Sequence, residues 1–254
     1  MKIEAPLLRR MWPQGDRRVA GLIAGTAAAS ESVFARFGID TPDLVAHVMA
    51  QLSHECGAGR DVVENMNYTA ARMMQVWPSR FPTRASAAPY AHNPRALANK
   101  VYNGRMGNRA GSDDGWSYRG RGAAQTTGRD GYVRLAALTG LDLVNDPELL
   151  LDPRYFLLCG VADFVACGCL PFARADDVVG VTRRLKGGTI GLAERKAWLA
   201  SWKAALAEAP VVTASPQPSP PRTEVPPQSQ TQPSPPPSRW SQIVAVLRAA
   251  FWRS

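Results

Sequence analysis

Apolar and polar positions alternate along most of this chain with the helical period, and few stretches alternate with the period of a strand. The run "TPDLVAHVMAQLSHE" (41–55) is the clearest case. Thr41 suits an N-cap, Pro42 suits the first helical position, and Gly57 and Gly59 lie where the helix should stop. Leu44, Val48 and Leu52 form one stripe at about 100° per residue, and Glu55 falls inside that stripe. The apolar run "VAGLIAGTAAAS" (19–30) ends in small residues like a signal-peptide core. It lies behind Glu4, Asp16 and a Trp-Pro pair, so it reads as a helix of the folded domain. Further helices are predicted over 129–139, 153–167, 175–185 and 191–207, and the stretch with five glycines, "GSDDGWSYRGRGAAQTTG" (111–128), reads as a hairpin or ordered loop.

At Pro210 the pattern changes. Between Pro210 and Ser238, 11 of 29 residues are proline and most others are Ser, Gln or Thr, a composition that cannot bury a core and predicts an extended spacer. Helical periodicity returns in "RWSQIVAVLRAAFWRS", where Trp240, Ile243, Val244, Leu247 and Phe251 share a face and Ser241 and Arg248 lie opposite. The expected organisation is a mainly α domain over 1–209, a disordered Pro-rich linker over 210–238 and a basic amphipathic tail helix over 239–254. The tail is too short to span a bilayer and suits contact with an anionic membrane or lipopolysaccharide. The formal net charge of +9 favours anionic partners, nucleic acid and acidic wall polymer among them, without choosing between them.

The pair His54-Glu55 raises the question of zinc hydrolysis, because H-E-x-x-H sets two imidazoles one turn apart around a glutamate base. Position 58 is Ala58, and the chain has only His47, His54 and His92. Cys56, Cys159, Cys167 and Cys169 have no paired zinc spacing and read as reduced, semi-buried thiols. No metal or other cofactor is expected. The glycine-rich "YRGRGAAQTTGRDGY" (118–132) lacks the G-K-[ST] ending of a phosphate cradle, and no nucleic-acid partner is expected either. The loop offers Tyr118, Arg121, Gln125, Thr127 and Tyr132 as hydrogen-bonding groups for a hydroxyl-rich ligand.

Glu55 is then a carboxyl group in its own right. On a core-facing stripe it is desolvated, which favours the protonated form that a glycosidase needs for its leaving oxygen. Glu64 lies nine residues on, a half-turn out of phase on a continuous helix, so the two acids can address one site only if the chain turns between them. Gly57 and Gly59 allow that turn, and two acids on opposite walls leave room for a water.

Six blocks, "AQLSHECGAG", "VENMNYTA", "VYNGRMGN", "DDGWSYRGRGAAQTTGRDGY", "DLVNDPELLLDP" and "VTRRLKGGTIGLAER", run in order between about residues 12 and 205. Together they resemble glycoside hydrolase family 19, in particular its short branch of chitinase-like endolysins and lysozymes of bacteriophages and bacteria. The resemblance implies a lysozyme-like α-helical fold with a cleft, and inverting cleavage of β-1,4 links next to N-acetylated amino sugars. It implies Glu55 as general acid, Glu64 as base and Thr127 as the hydroxyl that helps hold the water. Tyr68, Tyr118, Arg121, Gln125 and Tyr132 fall in the substrate cleft, with Lys186 and Arg195 of the last block. Two departures stand out: Lys186-Gly187-Gly188 replaces the usual Asn-Gly-Gly, and Gly131 stands where the family usually has Asn.

The expected substrate is peptidoglycan, cleaved by a monomer made in the host cytoplasm without a cleavable signal peptide and acting at the cell wall or periplasm. A chitinase acting on N-acetylglucosamine polymer is the near alternative. A wall-binding protein without activity is the remote one.

Overall fold

The computed structural model of the chain describes residues 1–208. The predicted linker and tail, 210–238 and 239–254, lie outside the described residues. Twelve α-helices make up the described part: α1 (Ala5–Met11), α2 (Leu22–Arg36), α3 (Pro42–Glu55), α4 (Ala70–Val76), α5 (Arg84–Ala87), α6 (Pro94–Tyr102), α7 (Asp114–Ser117), α8 (Arg129–Thr139), α9 (Phe156–Ala166), α10 (Leu170–Arg174), α11 (Val178–Lys186) and α12 (Leu192–Ala207). Two 3-10 turns, Ala88–Tyr90 and Pro147–Leu151, interrupt the loops.

Several helix ends follow directly from local chemistry. The Thr41 side chain accepts a hydrogen bond from the Leu44 amide at 3.2 Å, so α3 starts where the cap places it. Its end is enforced by three successive residues with positive φ, Gly57, Ala58 and Gly59. A Cβ on Gly59 would come within 2.8 Å of the Gly15 Cα, so the turn also needs glycine there for space. The helix expected over 175–185 begins later, at Val178, because Asp177 is its cap and accepts from the Gly180 amide at 2.8 Å. The glycine-rich stretch over 111–128 is an ordered loop around the short α7 and contains no strand. Arg121 makes isolated bridges to Val63 and Thr126.

The helix α3 differs from the one-sided stripe expected of it. From Leu44 through Ser53 every residue is buried, because α12, α9 and α10 enclose the helix. Its polar residues are therefore buried as well, and each has at least one polar atom paired, though His47 Nδ1 and Gln51 Nε2 are not. Ser53 Oγ accepts from Trp12 Nε1 at 2.8 Å and from Trp202 Nε1 at 2.9 Å, tying the N-terminal segment and α12 to the central helix. His47 Nε2 meets Asp176 Oδ1 at 2.7 Å.

Three hydrophobic clusters result. The largest gathers α1, α2, α3, α9 and parts of α10, α11 and α12. A second holds Met66, Met73, Trp77, Phe81, Leu97 and Val101. The third holds Tyr118, Tyr132, Leu135, Leu143 and Leu150. The cysteines are free; Cys56, Cys159 and Cys169 are buried and Cys167 is half-buried, with burial pushing the Cys56 thiol up to about 12.

Replacing Ser53 with Ala would strand two buried indole N–H groups at about 1–3 kcal/mol each. The expected loss of stability is about 2–6 kcal/mol, or roughly 5–20 °C in melting temperature, measured by calorimetry. An unchanged melting temperature would show that the hydroxyl does not tie the helices together.

Candidate active site

Glu55 is the last residue of α3, and its side chain is only 2% exposed. Arg195 Nη2 donates to Oε1 at 2.5 Å, and the Lys186 ammonium contacts Oε2. Arg195, in the first turn of α12, also donates to the Gln51 side-chain oxygen one turn earlier on α3. Lys186 ends α11, where Gly187 at φ +73° turns the chain away. Burial by itself would favour a neutral Glu55, as the stripe implied. Two cations in contact favour the carboxylate, and neutralising it would leave both charges uncompensated in the interior. Desolvation and ion pairing thus act together on the resting side chain.

Next to it, His54 is pushed down to about 4, first by burial and then by the nearby Arg195 charge. Gly191 makes room for this ring: a Cβ there would lie 2.6 Å from His54 Nε2.

Glu64 sits where the chain crosses between clusters. Val62 belongs to the largest cluster and Met66 to the second, and the half-buried Glu64 lies between them. Its amide donates to the Gly120 carbonyl at 2.8 Å, and the Gly120 amide returns a bond to Oε2 at 3.1 Å. Tyr102, the last residue of α6, donates its hydroxyl to Oε1 at 2.5 Å. Glu64 is thus fixed by neutral donors where Glu55 is fixed by cations. A Cβ built on Gly120 would lie 3.3 Å from Glu64 Cβ, 3.3 Å from Thr127 Oγ1 and 3.2 Å from Gln125 Oε1. Glu64, Thr127 and Gln125 therefore converge around one small residue, and the Thr127 hydroxyl donates to the Gln125 carbonyl at 3.0 Å.

Tyr68 borders the same region. Its hydroxyl is pushed well above the usual phenol range by burial and by the Glu64 charge, and its ring packs 5.2 Å from that of Trp77. Arg119 is also near Glu64; burial and the Arg121 charge lower it, and its guanidinium stacks 3.6 Å above the Trp116 ring.

Three of the polar loop residues expected to meet a ligand are part of the loop's own framework. The Tyr118 hydroxyl donates to the Val144 carbonyl at 2.9 Å and that of Tyr132 donates to the Arg119 carbonyl at 2.9 Å; both rings are buried 5.1 Å apart. Arg121 is buried and reaches the Ser117 carbonyl, the Tyr132 hydroxyl and the Glu148 carboxylate. Most of their donors are spent internally, Arg121 Nε excepted, because a loop of this length without strands must satisfy its own carbonyls. Gln125 is buried too, with φ +54° and its amide donating to the Gly122 carbonyl at 3.1 Å. Conversely, Tyr102 and the Gly120 amide were missed. Tyr102 stands in the block "VYNGRMGN", but nothing local marks a partner 38 residues away.

No family model matches the chain. A protein of Haemophilus influenzae described as a glycosyl hydrolase family 19 domain-containing protein is 37% identical over 152 residues, covering 59% of this chain and 74% of that protein. The chain belongs to glycosyl hydrolase family 19. Its fold is also that of two solved structures at 15% identity. Chitinase C from Streptomyces griseus aligns with a TM-score of 0.52 over 81% of this chain and 92% of its own. A chitinase C mutant aligns at 0.53 over 81% and 76%. The protein is accordingly a glycoside hydrolase with a lysozyme-like, mainly α-helical fold. Among the described residues, no three His, Cys, Asp or Glu side chains gather as a metal-binding group, and no helix is long and apolar enough to cross a membrane.

The lowered His54 gives the family 19 domain a specific acid sensitivity. An unfolded histidine takes up its proton near 6.5 and the folded one near 4, so the stability held by neutral His54 is complete above 6.5 and lost as pH falls through that window. The contribution is at most about 3 kcal/mol. His54→Gln should flatten the fall in melting temperature between pH 6.5 and 4. An identical slope in both proteins would remove His54 as the cause.

Proposed function

We propose that the chain is an endolysin-type hydrolase that cleaves the β-1,4 glycosidic bonds of peptidoglycan with inversion at the bacterial wall. The carrying observation is the unlike setting of the two carboxylates: Glu55 is held by the α11 and α12 cations, and Glu64 by the Tyr102 hydroxyl and the Gly120 amide. In this reading Glu64 accepts a proton from the attacking water, with the Thr127 hydroxyl beside it to orient that water. Glu55 gives a proton to the departing sugar oxygen. The net charge of +9 suits an acidic wall polymer. A chitinase is the second reading, supported by the two chitinase C neighbours in fold.

Side-by-side digestion of purified peptidoglycan and colloidal chitin should release more product from the wall; the reverse preference would favour the chitinase. Glu55→Gln should lower the rate at least about 10³-fold, and Glu64→Gln at least about 10²-fold, with melting curves close to wild type. Near-wild-type turnover by a folded Glu55→Gln protein would refute the assignment. Tyr102→Phe removes one donor to a charged group, worth about 1.5–3 kcal/mol, so kcat should drop roughly tenfold or more with KM little changed. An unaltered kcat would confine Tyr102 to packing.

A further inference from the structure

The proposed acid poses a chemical difficulty. A general acid must offer a protonated oxygen to the leaving group, yet in the resting site both oxygens of Glu55 are occupied by cations. Each cation opposes protonation of Glu55, and withdrawal of either would ease it. The two differ in how firmly they are held. Arg195 is 2% exposed and bonded to Gln51 as well as Glu55. Its planar fork is fixed at both ends. Lys186 is 10% exposed and carries a compact ammonium on a flexible four-carbon stem. Behind it lie Gly187, at φ +73°, and Gly188, around which a Cβ would find nothing within 4 Å. Lys186 also stands where the family usually has a neutral Asn, so no charge is expected there from the resemblance.

We propose that Lys186 is a positioning residue that governs when Glu55 can act as the acid. Its ammonium occupies Oε2 and keeps the carboxylate ionised in the free enzyme; when substrate enters, the ammonium moves off and Oε2 takes up a proton from solvent. In the cleavage step the glycosidic C–O bond breaks with its electrons going to the leaving oxygen, which receives the Oε2 proton. Water forms the new bond to the anomeric carbon and loses its proton to Glu64. Arg195 stays on Oε1 throughout and holds the carboxyl group in place.

The consequence is a pH dependence set by one removable charge. The charged and titratable groups around Glu55 are Lys186 from α11, Arg195 and Glu194 from α12, and His54 from α3, which stays neutral above about 4. On α9, Asp163 is committed to Arg134 and Thr126, and on α10 the Arg174 side chain lies beside Gly38. The Cys56 and Cys169 thiols are kept neutral by burial.

The test rests on the Glu55 assignment and is built to separate the two. The alkaline limb of kcat/KM is measured on whichever polymer the wild type cleaves, for wild type, Lys186→Gln, Lys186→Asn and Lys186→Arg, each with a melting curve. An opposite charge in contact lowers the titration of a carboxyl group by about one to three pH units. Both neutral variants should therefore move the limb upward by about one unit or more, and Lys186→Arg should leave it in place. A limb that stays put in the neutral variants overturns the proposal, as does a pair of neutral variants that fails to fold, since the ammonium would then be structural. Loss of activity in Glu55→Gln together with an unmoved limb refutes only the Lys186 role. Activity retained in Glu55→Gln refutes the reading beneath it.

Discussion

A buried carboxylate cannot stand alone in a protein interior, and much of this architecture follows from that constraint. Glu55 ends a helix that is enclosed almost from end to end, so its charge must be met by neighbours and cannot be met by water. The chain supplies them from two successive helices joined by residues 187–191. The end of α11 brings Lys186 and the start of α12 brings Arg195. Gly187 and Gly191, both left-handed, set the direction of that connection, and the absence of a side chain at 191 admits His54. Packing of α12 on α3 is thus tied to the chemistry of the site, since the helix that carries Arg195 also carries Trp202 to Ser53.

The second carboxylate obeys a different constraint. Glu64 is half-buried at the crossing between two hydrophobic clusters, where it is held by a phenol and a backbone amide that bring no net charge. A phenol and an amide orient the carboxylate without placing a formal charge beside it, whereas two cations also neutralise it. The two carboxylates therefore differ in the formal charge of the groups bonded to them.

Where function depended on local chemistry, the sequence was a good guide. Thr41 and Pro42 marked the start of α3, Gly57 and Gly59 its end, and the turn between the two glutamates followed from those glycines. Helix α8 falls on the predicted 129–139. Where function depended on contacts across the chain, it was not. Glu55 meets partners 131 and 140 residues away, and Tyr102 meets Glu64 across 38. The setting of the loop residues has a related cause. Tyr118, Arg121 and Tyr132 have the donors a sugar would want, but which donors remain free is decided by the carbonyls the folded loop must satisfy, and composition does not reveal those.

The two departures from the family pattern have physical readings of different kinds. At Gly131 a Cβ would lie 3.0 Å from the Thr126 methyl, and Thr126 is tied through its hydroxyl to Asp163 at 3.0 Å. A larger residue there would have to displace a side chain anchored to α9, so glycine fits the local space. At Lys186 the exchange is one of charge. An amide in that place could share a hydrogen bond with Glu55, but it would remove one of the two cations that contact the carboxylate among the described residues. A lysine adds a full charge on a stem long enough to swing away. The first departure changes what fits beside the loop; the second changes the charge in contact with Glu55.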